Sequence, residues 1–226
     1  MIPAGRRWCL INAEGRFTYA YDAAGRLANE VNAQGDRTTL TYDAAGQRTR
    51  KDLADGGRTS FTYDAAGRLT SVADFDAGDA VISSFEYQCD NVGNRTSVLE
   101  AGGERTTWTY DATYQLTGEQ RSGDNAYQQT FVYDAVGNRL VKVEDGSRTT
   151  YTFNAANQLQ RSEAADGVTT YTFDANGNQQ IVESPGGGRT TSTWDYENQT
   201  TLVELPTGAR VTTAYNADKR RFWKDT

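Results

Sequence analysis

The segment Tyr21-Asp22-Ala23-Ala24-Gly25-Arg26-Leu27 returns as Tyr63-Asp64-Ala65-Ala66-Gly67-Arg68-Leu69, with Tyr42-Asp43-Ala44-Ala45-Gly46-Gln47-Arg48 between them. The frame continues through Cys89-Asp90, Tyr110-Asp111, Tyr133-Asp134, Phe153-Asn154, Phe173-Asp174, Trp194-Asp195 and Tyr215-Asn216. The ten anchors are spaced 21, 21, 26, 21, 23, 20, 20, 21 and 21 residues apart. A fixed period of this size marks a repeat architecture, in which each repeat buries its surface against its neighbours. A second set of glycines, among them Gly35, Gly56, Gly102, Gly146, Gly186 and Gly208, falls about midway through each repeat. Two turns per repeat imply two strands per repeat.

The residues before each anchor alternate, as in Ser60-Phe61-Thr62-Tyr63, Thr107-Trp108-Thr109-Tyr110 and Thr170-Tyr171-Thr172-Phe173. Aromatic and β-branched residues alternating at period two fit a strand that sets its rings on one face and its threonines on the other. The Asp-x-x-Gly after the anchor suits a type I turn closed by a glycine in the left-handed region, with the carboxylate accepting from nearby backbone N–H groups. The turn-making residues are therefore Asp22 with Gly25, Asp43 with Gly46, Asp64 with Gly67, Asp90 with Gly93, Asp134 with Gly137 and Asp174 with Gly177. Asn157, Tyr114 and Asn198 stand where the glycine is expected, and Asn tolerates that conformation better than Tyr. The longer steps of 26 and 23 residues predict loop insertions at residues 75–80 and 123–126.

Ten repeats give about twenty strands, a ribbon nearly 100 Å wide at roughly 4.8 Å per strand. Such a ribbon hides its aromatic face only by twisting and coiling, so the expected fold is an all-β spiral of curved antiparallel sheet, a partial shell built as a single array over residues 1–226. The end strands of such an array are unpaired and invite self-association.

The chain contains no His, which removes the commonest general base and zinc ligand. No catalytic set, cofactor site or metal site emerges from the sequence, and the expectation is a protein that is not an enzyme. The acidic column at the turns resembles a run of calcium ligands only superficially: each turn supplies one carboxylate, and Asn replaces Asp at 154 and 216. A net charge of -7 argues against a nucleic-acid partner. No apolar run approaches the roughly 20 residues of a membrane helix, and no secretory signal follows Met1. Arg26, Arg48, Arg68, Arg95 and Arg139 follow the turns and are expected to meet turn carboxylates or cross-strand charges. The aromatic column is expected to be core. The competing reading is a cell-surface binding module for carbohydrate or protein partners, with sugar stacking falling to the exposed rings Trp8 and Trp223.

The unit Gly-x-x-aromatic-x-Tyr-Asp-x-x-Gly-Arg-Leu, best preserved over residues 58–69, resembles the Rhs (rearrangement hotspot) or YD-repeat family. The resemblance runs from about Asn12 to Arg221. It implies a β-strand spiral forming a hollow shell or cocoon, which in bacterial polymorphic toxins and insecticidal toxin complexes encloses a C-terminal toxic domain. The implied partners are the remainder of a larger Rhs chain or a toxin cargo, and the implied location is outside the cell or on its surface through a specialised export route. The family's Asp-Pro-x-Gly cleavage element has no counterpart here, since none of Pro3, Pro185 and Pro206 follows an Asp. With only residues 216–226 beyond the last anchor, no toxin or core domain is expected within this chain.

Overall fold

The computed structural model describes residues 8–216 and 218–225, with side chains described as far as Arg221. All regular structure among them is strand, and no helix is long and apolar enough to cross a membrane. Two compact units divide the chain, one of Met1–Thr109 with Gln120–Ala126 and the other of Tyr110–Glu119 with Tyr127–Thr226.

The first unit contains β1(Cys9–Asn12), β2(Gly15–Tyr21), β3(Leu27–Val31), β4(Arg37–Tyr42), β5(Arg48–Asp52), β6(Arg58–Tyr63), β7(Leu69–Phe75), β8(Val81–Cys89), β9(Arg95–Glu100) and all but the last residue of β10(Arg105–Tyr110). β11(Leu116–Arg121) is divided between the two units. The second holds β12(Tyr127–Tyr133), β13(Arg139–Glu144), β14(Ser147–Phe153), β15(Leu159–Ala164), β16(Gly167–Phe173), β17(Gln179–Glu183), β18(Arg189–Trp194), β19(Thr200–Glu204), β20(Arg210–Tyr215) and β21(Arg221–Asp225). Within each unit every strand pairs antiparallel with its neighbours in sequence, β1 with β2 and β2 with β3, and later β18 with β19 and β19 with β20. Among the described residues the strands of a unit contact only those neighbours, so each unit is a single layer of sheet.

Each anchor is the last residue of a strand, from Tyr21 in β2 to Tyr215 in β20. A regular repeat consists of a five-residue turn, a strand of five, a second turn of five and a strand of six, as from Asp43 to Tyr63. The 20-residue repeats ending at Phe153 and Phe173 replace the second turn by two residues, Asp145-Gly146 and Ala165-Asp166. Asp145 and Gly146 both take positive φ, 47° and 83°, the signature of a two-residue hairpin whose twist matches its strands.

The long repeats differ from expectation. The extra residues lengthen strands instead of swelling loops: β7 has seven residues and β8 nine, while the turn between them keeps its five. Antiparallel pairing explains why. Residues added on both sides of a hairpin can pair with each other and satisfy their backbone groups, whereas a swollen loop would leave them to water. The unequal addition is absorbed by a register slip between Asp74 and Phe75. In the 23-residue repeat β11 has six residues and β12 seven, again around a five-residue connection.

The aromatic column also departs from the expected core. Of the described hydrophobic side chains only Val98 and Phe131 are buried, with Ser97 and Thr106 the buried polar residues. The other rings of the column, from Tyr19 to Tyr215, are partly exposed. Alternation itself is clear: Thr41, Thr62, Thr109, Thr152, Thr172 and Thr193, one residue before their anchors, are exposed while the anchors are not. A single layer has nothing opposite its ringed face within the unit, so each ring is covered only by its neighbours in the sheet.

Candidate functional site

The features that recur in every repeat are the anchor turn, the residue that closes it and the ring column beside it. At the first turn Gly25 N–H donates to the Asp22 carbonyl (2.8 Å) and Asp22 N–H to the Arg26 carbonyl (2.9 Å). Gly25 takes φ 78°, and one Asp22 carboxylate oxygen accepts from Arg26 N–H at 2.8 Å. The same bonds recur at Asp43 with Gly46 and Gln47, Asp64 with Gly67 and Arg68, Asp90 with Gly93 and Asn94, Asp134 with Gly137 and Asn138, and Asp174 with Gly177 and Asn178. Tyr114, Asn157 and Asn198 take the left-handed conformation of the missing glycines, at φ 64°, 58° and 60°. Register slips by one residue at the anchor in hairpins such as β4–β5 and β16–β17.

The side chain that closes each turn has a role that period-two reasoning does not find. Arg26 Nη1 donates to the Asp43 carbonyl (3.0 Å), Gln47 Nε2 to the Gly67 carbonyl (2.9 Å) and Arg68 Nη1 to the Asp90 carbonyl (2.7 Å). Asn138 and Asn178 reach Asn157 Oδ1 and Asn198 Oδ1 at 3.1 and 2.8 Å. Each of these links one turn to the turn of the following repeat. The signal lay in the column Arg26, Gln47, Arg68, Asn94, Gln115, Asn138, Gln158, Asn178, Gln199 and Arg220, every member of which carries a side-chain N–H donor. The anchors tie repeats together as well. Tyr42, Tyr63 and Tyr133 donate their hydroxyls to the carbonyls of Leu27, Arg48 and Leu116, and Trp194 Nε1 to that of Gln179. This polar handle accounts for the preference for Tyr and Trp over Phe at the anchor.

The arginines meet carboxylates, rings or both. Arg26 and Arg68 pair with Asp22 and Asp64 at 2.7 and 2.6 Å, and Arg26 also lies 4.6 Å from the centroid of the Tyr42 ring. Arg48, Arg95 and Arg139 lie over rings: Arg48 is 4.6 Å from the centroid of Phe61, Arg95 4.0 Å from Tyr87, and Arg139 5.6 and 5.1 Å from Phe131 and Tyr151. A planar guanidinium over an aromatic face is attracted by the ring quadrupole and covers it while keeping its own charge hydrated. Arginine thus screens rings that no opposing layer covers.

Several turn carboxylates are held below the ordinary Asp range. The backbone N–H of the turn-closing residue is the leading cause at Asp22, Asp64 and Asp111. At Asp134 and Asp174 it is the side-chain amide of Asn138 and Asn178. At Asp90 desolvation is the largest influence and acts upward, but the bonds from Asn94, Gly93 and Val92 together outweigh it. A carboxyl whose pKa is lowered on folding stabilises the fold above its unfolded value of about 3.9, and that contribution disappears as pH falls through the lower folded value. The urea midpoint followed by far-UV circular dichroism is therefore expected to hold between pH 7 and 5 and to fall below about pH 4. A midpoint unchanged down to pH 3 would contradict this role for the column.

Trp8, just before β1, is 54% exposed, and its carbonyl accepts from Tyr19 N–H at 2.9 Å. The Trp223 side chain lies outside the described residues. Cys9 and Cys89 are free. Among the described residues no three His, Cys, Asp or Glu side chains gather as a metal site.

The RHS repeat family model matches residues 21–57 and 42–79. No curated protein sequence matches significantly. Among solved structures, the chain is similar to one in the crystal structure of TcdB2-TccC3-Cdc42, at 18% identity and a TM-score of 0.50, over 94% of this chain and 15% of that one. TcdB2-TccC3 without its hypervariable C-terminal region gives 18% identity and a TM-score of 0.47, over 92% of this chain and 13% of that one. The Photorhabdus luminescens Tc holotoxin pore gives 17% and 0.41, over 91% and 15%. The likeness at TM-score 0.50 shows a shared fold, and this chain spans only a small part of that structure's length.

Proposed function

We propose that this chain, whose residues 21–79 are RHS repeats, serves as a non-catalytic scaffold: one continuous stretch of wall in a larger Rhs-type shell that encloses or presents a toxin cargo. The observation that carries the reading is the single-layer sheet, chemically different on its two faces, with five of its anchor turns bonded by a side chain to the turn of the next repeat. A wall must separate two environments and grow by addition of like pieces, and this construction does both. The ringed face, screened by arginines, turns toward the interior, and the threonine face toward water. The likeness to a chain in TcdB2-TccC3-Cdc42, over 15% of that chain's length, supports a part in a larger assembly. The lowered Asp pKa values are explained by turn bonds and need no catalytic role.

Electron microscopy of the product of the full reading frame tests the proposal. The expected image is a hollow particle with these repeats in its wall and density within it. An extended strip, or a closed particle with the repeats outside the wall, would overturn it.

A further inference from the structure

The two faces of the sheet in β14 to β20 are unlike in charge. Register puts Tyr151, Phe153, Tyr171, Phe173, Trp194 and Tyr215 on one face, with Val182 and Val203 opposite Tyr171 and Ser192. No charged residue of these seven strands shares that face, although β13 borders it with Arg139, over Tyr151, and with Lys142 and Glu144, paired with Thr149 and Ser147. The other face of the same strands carries Arg161, Glu163, Glu183, Arg189, Glu204 and Arg210. A sheet charged on one side and uncharged on the other is half of a sandwich.

The rings Tyr151, Phe153, Tyr171, Phe173, Trp194 and Tyr215 on that face are all partly exposed. We propose that the ringed face of β14 to β20 binds the same face of a second copy of this chain, making a two-layer sandwich with a two-fold axis. Symmetric pairing sets a face against itself, so like charges on it would oppose one another, and this face has none. Seven strands at about 4.8 Å and six residues at about 3.4 Å give a footprint of roughly 690 Å² per copy. Two such footprints clear the roughly 1,000 Å² that a specific interface needs. The inference goes beyond the wall reading, and its test examines this chain by itself.

Adjacent residues on opposite faces of β18 supply the test. Ser192 pairs with Val203 on the ringed face, and Thr193 with Leu202 on the other. Light scattering of the chain at tens of micromolar should give twice 24.9 kDa. Ser192→Arg should raise the dimer dissociation constant at least tenfold, while Thr193→Arg should leave it within about twofold. If the far-UV spectrum shows that Ser192→Arg disturbs the fold, Thr190→Lys on the same face replaces it. A monomeric parent chain, a dimer that survives the face substitution, or equal loss in the Thr193 variant would each overturn the proposal. Survival in both variants would assign association to another surface, such as the end strands.

Discussion

Replacement of Phe131 by alanine is expected to cost about 3 kcal/mol and to open the array locally. Phe131 is 8% exposed, the most buried ring in the column. It sits opposite Lys142 in β13 and beneath Arg139. Removing a buried phenylalanine from a two-layer core costs about 3–5 kcal/mol. The lower end applies here because a single layer can settle into the space and admit water. Phe61→Ala, at a ring already partly exposed, should cost about half as much, since less apolar area leaves water on folding. Strands that touch only their neighbours also limit the damage. Hydrogen exchange should report lost protection in β12, β13 and β14, with β2 to β5 keeping theirs. Uniform loss along the chain, or a cost under 1 kcal/mol, would contradict this account.

The second large effect is expected at Gly56. Its φ is 88°, and an added Cβ would lie 2.9 Å from the Cβ of Ala77 in the next repeat's second turn. Gly208 occupies the same place in its own repeat at φ 82°, with nothing within 4 Å of an added Cβ. Gly208→Ala therefore measures backbone strain alone, about 1–2 kcal/mol. Gly56→Ala adds the collision between two turns, about 1–3 kcal/mol more, because the atom struck belongs to a short side chain with no room to swing away. Urea denaturation of the two variants checks the difference. Equal costs would mean that the turns at this edge move apart freely.

The anchors from Tyr21 to Tyr215 could be read from the sequence because turn chemistry and period-two alternation agree in most repeats and the period carries the rest, and each of these residues ends a strand. The placement of the extra residues at 75–80 could not. Spacing reports how many residues are added but not whether they find partners, and in β7 and β8 they do. Burial is not legible in the sequence for a related reason. Alternation says that Phe61 and Tyr63 share a face, but whether a second layer covers that face is not a local property. The arginines carry half a signal: Arg26 and Arg68 follow a turn carboxylate by four residues and pair with it, whereas the rings beneath Arg26, Arg48 and Arg95 are brought there only by the folded register. The turn-to-turn bonds from Gln47 and Asn138 were legible in principle, as a column of donors, yet their acceptors lie about twenty residues away.

Those bonds bear on how a gene for such a protein can change. The longest of them joins Arg68 to Asp90, 22 residues on, so each repeat relies on the one that follows and on none further away. Recombination between two copies of the coding unit, adding or removing one whole period, would join a donor column to a matching acceptor column and leave no buried group stranded. A single-residue slip would instead move the rings to the threonine face. Array length is therefore free to drift in whole periods through inheritance, while the text within each period is held fixed by the neighbour it must fit.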